Sequence, residues 1–258
     1  SDLLRFHDHM WVEWSRNDVY AKYPPGYPLF LALAWLIGGD RAIFWVSPLC
    51  GIVGLLASYF LLRKMVTPGL ALAGLACFTI NPVLALYDGY VLSHAASFAV
   101  VTGGMLLLWN WWEKGGLWRA ALAGVVLGYA PLIRYTDALI IIPVGAVMLL
   151  KAVGIQPGSA PVPASEPPTA GRRWTRVIGE STVVVGGALL CLVPLMAHHF
   201  AAFGDPLRTG YSFSGEQQAF EWVNLKINLP VLARHLNDIA LFMVFPVAIL
   251  GFVLLAIK

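Results

Sequence analysis

Seven apolar stretches, at 42–62, 68–87, 91–112, 117–133, 136–153, 177–200 and 239–257, run through the 258-residue chain. Each approaches the ~20 residues that a helix needs to cross a hydrocarbon layer. Only 12% of the residues are charged, against about a quarter in a soluble domain. The mean hydropathy is +0.72. The expected fold class is therefore all-α: a polytopic transmembrane helical bundle with juxtamembrane helices. Ten tryptophans and nine tyrosines suit a protein with many membrane–water boundaries. Residues 28–38 form a further apolar run, too short for a span, that reads as a juxtamembrane or re-entrant helix.

Charge orients the set. Arg63-Lys64, Glu113-Lys114 with Arg119, and Lys151 with Arg172, Arg173 and Arg176 fall on alternate connections. Placing all three on the cytoplasmic side satisfies the positive-inside bias, provided that 28–38 does not cross. The organisation that follows is an extracytoplasmic loop over 1–28 and an N-terminal transmembrane bundle over 29–154. A flexible cytoplasmic linker over 155–175, rich in Pro, Ala, Ser and Gly, leads to C-terminal transmembrane helices over 176–258, with an external loop at 201–237. A polar start at Ser1 and an end just after an apolar run give the expectation of a piece of a longer protein. No internal repeat of the secondary-transporter kind is evident. Cys50, Cys77 and Cys191 lie far apart inside apolar runs and read as inert thiols. A net charge of +3, spread among loops, does not point to nucleic acid as a partner.

With this topology the uncommon polar residues collect on the outer face. Lys22-Tyr23-Pro24-Pro25-Gly26-Tyr27-Pro28 is a rigid hinge, because adjacent prolines fix the backbone and remove two donors. Its lysine is placed to meet a lipid phosphate at the lip of the membrane. Tyr87 to His94 brings Asp88, two phenols and an imidazole to the start of a span, and reads either as an ordinary interfacial loop or as part of a site. Arg134 interrupts an apolar run. It is either a snorkelling or salt-bridged arginine paired with Asp137 or an anion-binding one, since guanidinium matches phosphate oxygens with paired donors. His198-His199 closes a span, and the turn signals Gly204-Asp205-Pro206 and Gly210 surround Arg208 and Tyr211. Neither the vicinal histidines nor His7-Asp8-His9 has convincing metal-ligand spacing. No cofactor is called for, and a divalent metal stays open.

Four islands carry a resemblance: 19–29, 89–97, 132–139 and 203–211. In order and spacing they resemble membrane glycosyltransferases of the GT-C superfamily, in the branch of the protein mannosyltransferases and the lipid A aminoarabinose transferase. That resemblance implies a GT-C-like membrane enzyme of the bacterial inner membrane and cell envelope. It would move a sugar from a polyprenyl-phosphate donor to an acceptor, not readable here, at the extracytoplasmic face. Membrane lipid is its other expected partner. The family's catalytic carboxylate follows its first membrane helix, commonly as an Asp-Glu pair. No such pair precedes the hinge here, so the base is expected upstream of Ser1, with Asp8 and Asp2 as fallbacks. The expected substrate-binding residues are Lys22, Tyr23, Asp88, His94, Arg134, Asp137, His199, Arg208 and Tyr211. The rival readings are a lipid or sugar transporter or flippase, and a non-catalytic membrane scaffold.

Overall fold

The computed structural model of the protein describes residues 11–13, 19–80, 89–155, 157, 170–213 and 222–235. Its helices are α1 (Gly26–Ile43), α2 (Val46–Leu62), α3 (Pro68–Thr79), α4 (Ser93–Lys114), α5 (Leu117–Ile133), α6 (Ile141–Val153), α7 (Ala170–Phe203) and α8 (Trp222–His235). Single 3-10 turns over Tyr135–Ile140 and Gly210–Phe213 join them. Two described stretches, Tyr135–Val153 and Trp174–Phe203, are long and apolar enough to cross a membrane by themselves. The chain is thus a helical bundle with the character of a membrane protein. Two short strands, β1 (Trp11–Glu13) and β2 (Val19–Ala21), pair antiparallel with Val12 opposite Tyr20. The apolar periodicity gave no sign of them.

Several element boundaries move from their expected places. Helix α7 begins at Ala170, inside the stretch read as linker, because the prolines end at Pro168 and nothing after them opposes a helix. It runs on to Phe203, and α8 occupies part of the stretch read as the external loop 201–237. The expected span 136–153 opens as a 3-10 turn before it becomes α6. Helix α3 ends at Thr79. Residues 81–88, the run 239–257 and most of the linker lie outside the described residues.

The run 28–38 sits in α1, which leaves and returns to the same end of the bundle. Ser47 Oγ lies 3.3 Å from the Leu92 carbonyl, to which it donates, and 2.9 Å from the Tyr27 hydroxyl. These contacts tie the first turn of α1 to the first turn of α2 and to the start of α4. A straight helix of this length would carry the chain about 27 Å away. Instead Gly38 and Gly39 leave helical geometry, Gly39 at φ +65°, a conformation that a side chain resists. The Trp35 indole donates to Asp40 Oδ1 across this break at 3.0 Å. Helices α1 and α2 then meet at a bend of 105°.

The bundle has two chemically different ends. At one, Lys64 meets Glu113 at 2.6 Å, joining the end of α2 to the end of α4. Nearby Glu180, 3% exposed, accepts from the Trp111 indole, the Gly116 amide and Arg176 Nε, each at about 3.0 Å. Lys151 lies 3.9 Å from Glu180 and caps the carbonyls of Trp111 and Trp112. The connections with basic residues thus converge on one end.

Helices α5 and α7 hold the centre together through glycine. A Cβ on Gly124 would come within 2.1 Å of the Val184 carbonyl, and one on Gly128 within 2.4 Å of Ala188 Cα. Gly187 packs in return against the Ala121 carbonyl. Small residues four apart let two backbones touch, which matters where lipid removes the hydrophobic drive between helices. Beside the seam lies a core of Leu108, Trp111, Ala120, Ala123, Leu127 and Val184.

Two stability outcomes follow. Gly124→Val should force these helices apart and cost about 1–3 kcal/mol, seen as a lowered melting temperature in detergent. An unchanged melt would show that the seam tolerates a side chain. Glu180→Ala should cost about 3 kcal/mol, because it leaves Lys151 buried without its carboxylate. Thermal unfolding of the two proteins side by side checks the order of magnitude.

Candidate functional site

The hinge is pinned to the end of α5. A Cβ on Gly26 would lie 2.5 Å from the Leu132 carbonyl oxygen, so only a glycine lets α1 begin here. The Tyr129 hydroxyl donates to the Gly26 carbonyl at 2.9 Å, and Pro24 is fully buried beneath the turn. Immediately after this contact α5 stops, with Arg134 extended at φ −146° and ψ 128°. Lys22 precedes the contact and Arg134 follows it. Both therefore emerge at one end of the bundle, opposite the Lys64, Lys151 and Glu180 end.

Around Lys22 the chain builds an aromatic wall. The side chain is 4% exposed, with its ammonium 5.1 Å from the centre of the Tyr211 ring and 5.9 Å from that of Tyr23. Such placement over ring faces favours a cation that has given up part of its water. Tyr211 is edge-on to Tyr23 at 5.8 Å and to Tyr135 at 5.7 Å. It reaches this position because Gly210 lies directly on the hinge, where an added Cβ would be 2.5 Å from Lys22 Cα.

His199 fastens the loop that carries Tyr211. It is buried on α7, 3.0 Å from the Tyr135 hydroxyl through Nε2 and 3.2 Å from the Pro206 carbonyl through Nδ1. Gly204, at φ +74°, ends α7, and Asp205 Oδ1 accepts from the Leu207 amide at 2.8 Å to close the next turn. Arg208 follows on the exposed side of this turn.

Arg134 has two titratable neighbours. His94, in the first turn of α4, and Asp137 both lie within electrostatic reach of its guanidinium. Yet among the described residues Arg134 and Asp137 form no ion pair, because Asp137 Oδ2 accepts from Ser97 Oγ at 2.6 Å. The sequence alternative of an arginine neutralised by direct pairing with Asp137 is therefore corrected. The short polar turn is wound as 3-10, and α4 offers Ser97 one turn after His94 on the same face.

The structure thus brings together Lys22, Tyr23, Tyr211 and His199, and places His94, Arg134 and Asp137 at the same end. Asp2, Asp8 and Asp88 lie outside the described residues. Tyr135 and Ser97 join the site without having been singled out. The signal for Ser97 was its spacing from His94, and for Tyr135 its place between Arg134 and Asp137. Among the described residues no group of three or more His, Cys, Asp or Glu is placed to hold a metal ion. His198 and His199 present rings 6.1 Å apart and tilted by 52°. Two cations and several hydroxyls thus share one end of the bundle, and ammonium and guanidinium are groups that pair with anions.

Gly210→Ala should lift the loop from the hinge, losing about 1–3 kcal/mol of local stability. Faster amide exchange across 204–213 is the expected result, and exchange equal to that of the unaltered protein would mean that Tyr211 does not depend on this contact. No protein-family model, curated protein or solved structure matches the chain, so the chemistry of the site stands on its own residues.

Proposed function

We propose that the chain belongs to an integral-membrane glycosyltransferase that takes a sugar from a polyprenyl-phosphate donor at the extracytoplasmic face. The observation that carries this reading is the Gly26 contact with Leu132, which sets Lys22 and Arg134 on either side of one backbone junction, away from the basic end. The donor's sugar leaves from a phosphate, so negative charge grows on the phosphate oxygens as the bond breaks. Cations aimed in advance at those oxygens stabilise that charge most where water is scarce. Lys22, held against Tyr211 and Tyr23, and Arg134, beyond the last turn of α5, are assigned this work. Apolar surfaces between helices would take the polyprenyl tail. The acceptor hydroxyl needs a base, and a carboxylate is the group suited to it.

A glycosyltransferase and a flippase part company in assay. With the protein in lipid nanodiscs, Lys22→Ala and Arg134→Ala should each lower transfer from a polyprenyl-phosphate sugar by roughly a hundredfold or more. Membrane insertion should not change. Wild-type turnover in either variant removes that residue from the site. Movement of the lipid across the bilayer with no new glycosidic bond would favour the flippase instead.

A further inference from the structure

His199 uses both ring nitrogens, and its partners determine where the protons are. Nδ1 faces the Pro206 carbonyl oxygen, which can only accept, so Nδ1 carries hydrogen. No carboxylate contacts the ring among the described residues, and Lys22 and Arg134 share this end of the bundle, so a neutral imidazole is the favoured state. Nε2 is then an acceptor, and the Tyr135 hydroxyl 3.0 Å away donates to it. Tyr135 has one proton to give. Once that proton is committed to His199, the phenol oxygen offers only lone pairs to anything else nearby.

This polarity decides what Tyr135 can recognise. An ionised phosphate is also a set of acceptors, so an acceptor-only phenol is a poor phosphate ligand. It suits a group with a proton to donate. Tyr135 is half-buried, edge-on to Tyr211 at 5.7 Å, and Tyr211 in turn covers the Lys22 ammonium. Tyr135 and the cation assigned to the phosphate therefore flank one ring, that of Tyr211. A phosphate held by that cation would carry its sugar along the same aromatic wall.

We infer that Tyr135, oriented by His199, reads the sugar of the donor: its oxygen accepts a hydrogen bond from a sugar hydroxyl or amino group. This rests on the phosphate-binding reading above. A buried polar group of this kind rejects a ligand that lacks the matching donor, because the oxygen then loses its water and gains nothing. His199 acts through Tyr135, as a positioning residue, by holding the phenol's proton. It also holds Pro206, which keeps Tyr211 in the wall beside it.

The test uses two ligands with the protein in nanodiscs: polyprenyl phosphate, and the same lipid with a single neutral hexose on its phosphate. Tyr135→Phe keeps the ring against Tyr211 and removes only the oxygen. The Kd for the hexose-bearing lipid should rise roughly tenfold while that for the bare lipid stays unchanged. In nitrogen-15 spectra of the unaltered protein, His199 should show a protonated Nδ1 and an unprotonated Nε2. No change for the hexose-bearing lipid, an equal change for both lipids, or the opposite tautomer overturns the inference and leaves the phosphate reading standing. Failure of the unaltered protein to bind either lipid sinks the phosphate reading, and this inference with it.

Discussion

A single backbone contact organises one end of this molecule. Gly26 lies against Leu132 and Ile133 so closely that no side chain fits between them. It thereby fixes where α1 starts, relative to where α5 stops. Two charged residues are placed by this junction. Lys22 is the residue reached by stepping back through two prolines, and Arg134 is the residue reached by stepping forward out of α5. Close approach of this kind is paid for by glycine's lost conformational freedom, a cost of order 1 kcal/mol that rigid neighbours offset. Pro24 and Pro25 on one side and the Tyr129 hydroxyl bond on the other supply that rigidity.

The two ends solve opposite electrostatic problems. At the basic end, charges are neutralised within the chain: Glu180 collects an indole, an amide and an arginine, with Lys151 close by, and Lys64 meets Glu113. Such a network fastens helices and presents little unmet charge. At the hinge end the described contacts are of another kind. Lys22 lies over Tyr211 and Tyr23, and Asp137 is turned to Ser97 instead of pairing with Arg134. One end is fastened by ion pairs between helices, the other by ring contacts and hydroxyl hydrogen bonds.

Helical character was legible because lipid imposes it: long apolar runs have few other solutions, and the positions of Arg63, Lys64, Lys151 and Arg176 already implied a shared end. The hinge was legible for the same local reason, since Pro24 and Pro25 constrain their own backbone wherever they sit. The β1–β2 pair was not, because its stabilising partner is another strand rather than a pattern along the chain. Nor was the return of α1, which depends on Gly38 and Gly39 turning back and on Tyr27 meeting Ser47. Tyr135 and Ser97 were marked only by their position beside Arg134 and a turn after His94, since each matters through a partner far along the chain, His199 and Asp137.

What the amino-acid order determined by itself was local and energetic: which segments are apolar enough to be helices in lipid, which residues stop them, and which charges must lie together. Tertiary structure alone decided the pairings that make chemistry. It chose Ser97 over Arg134 as the partner of Asp137, and laid Tyr211 over Lys22. It also gave His199 a carbonyl on one side and a phenol on the other. The physical reason is range. Backbone preference and burial act over a few residues and leave their mark in the sequence, whereas a hydrogen bond or ring contact exists only once packing has brought distant residues within a few ångströms.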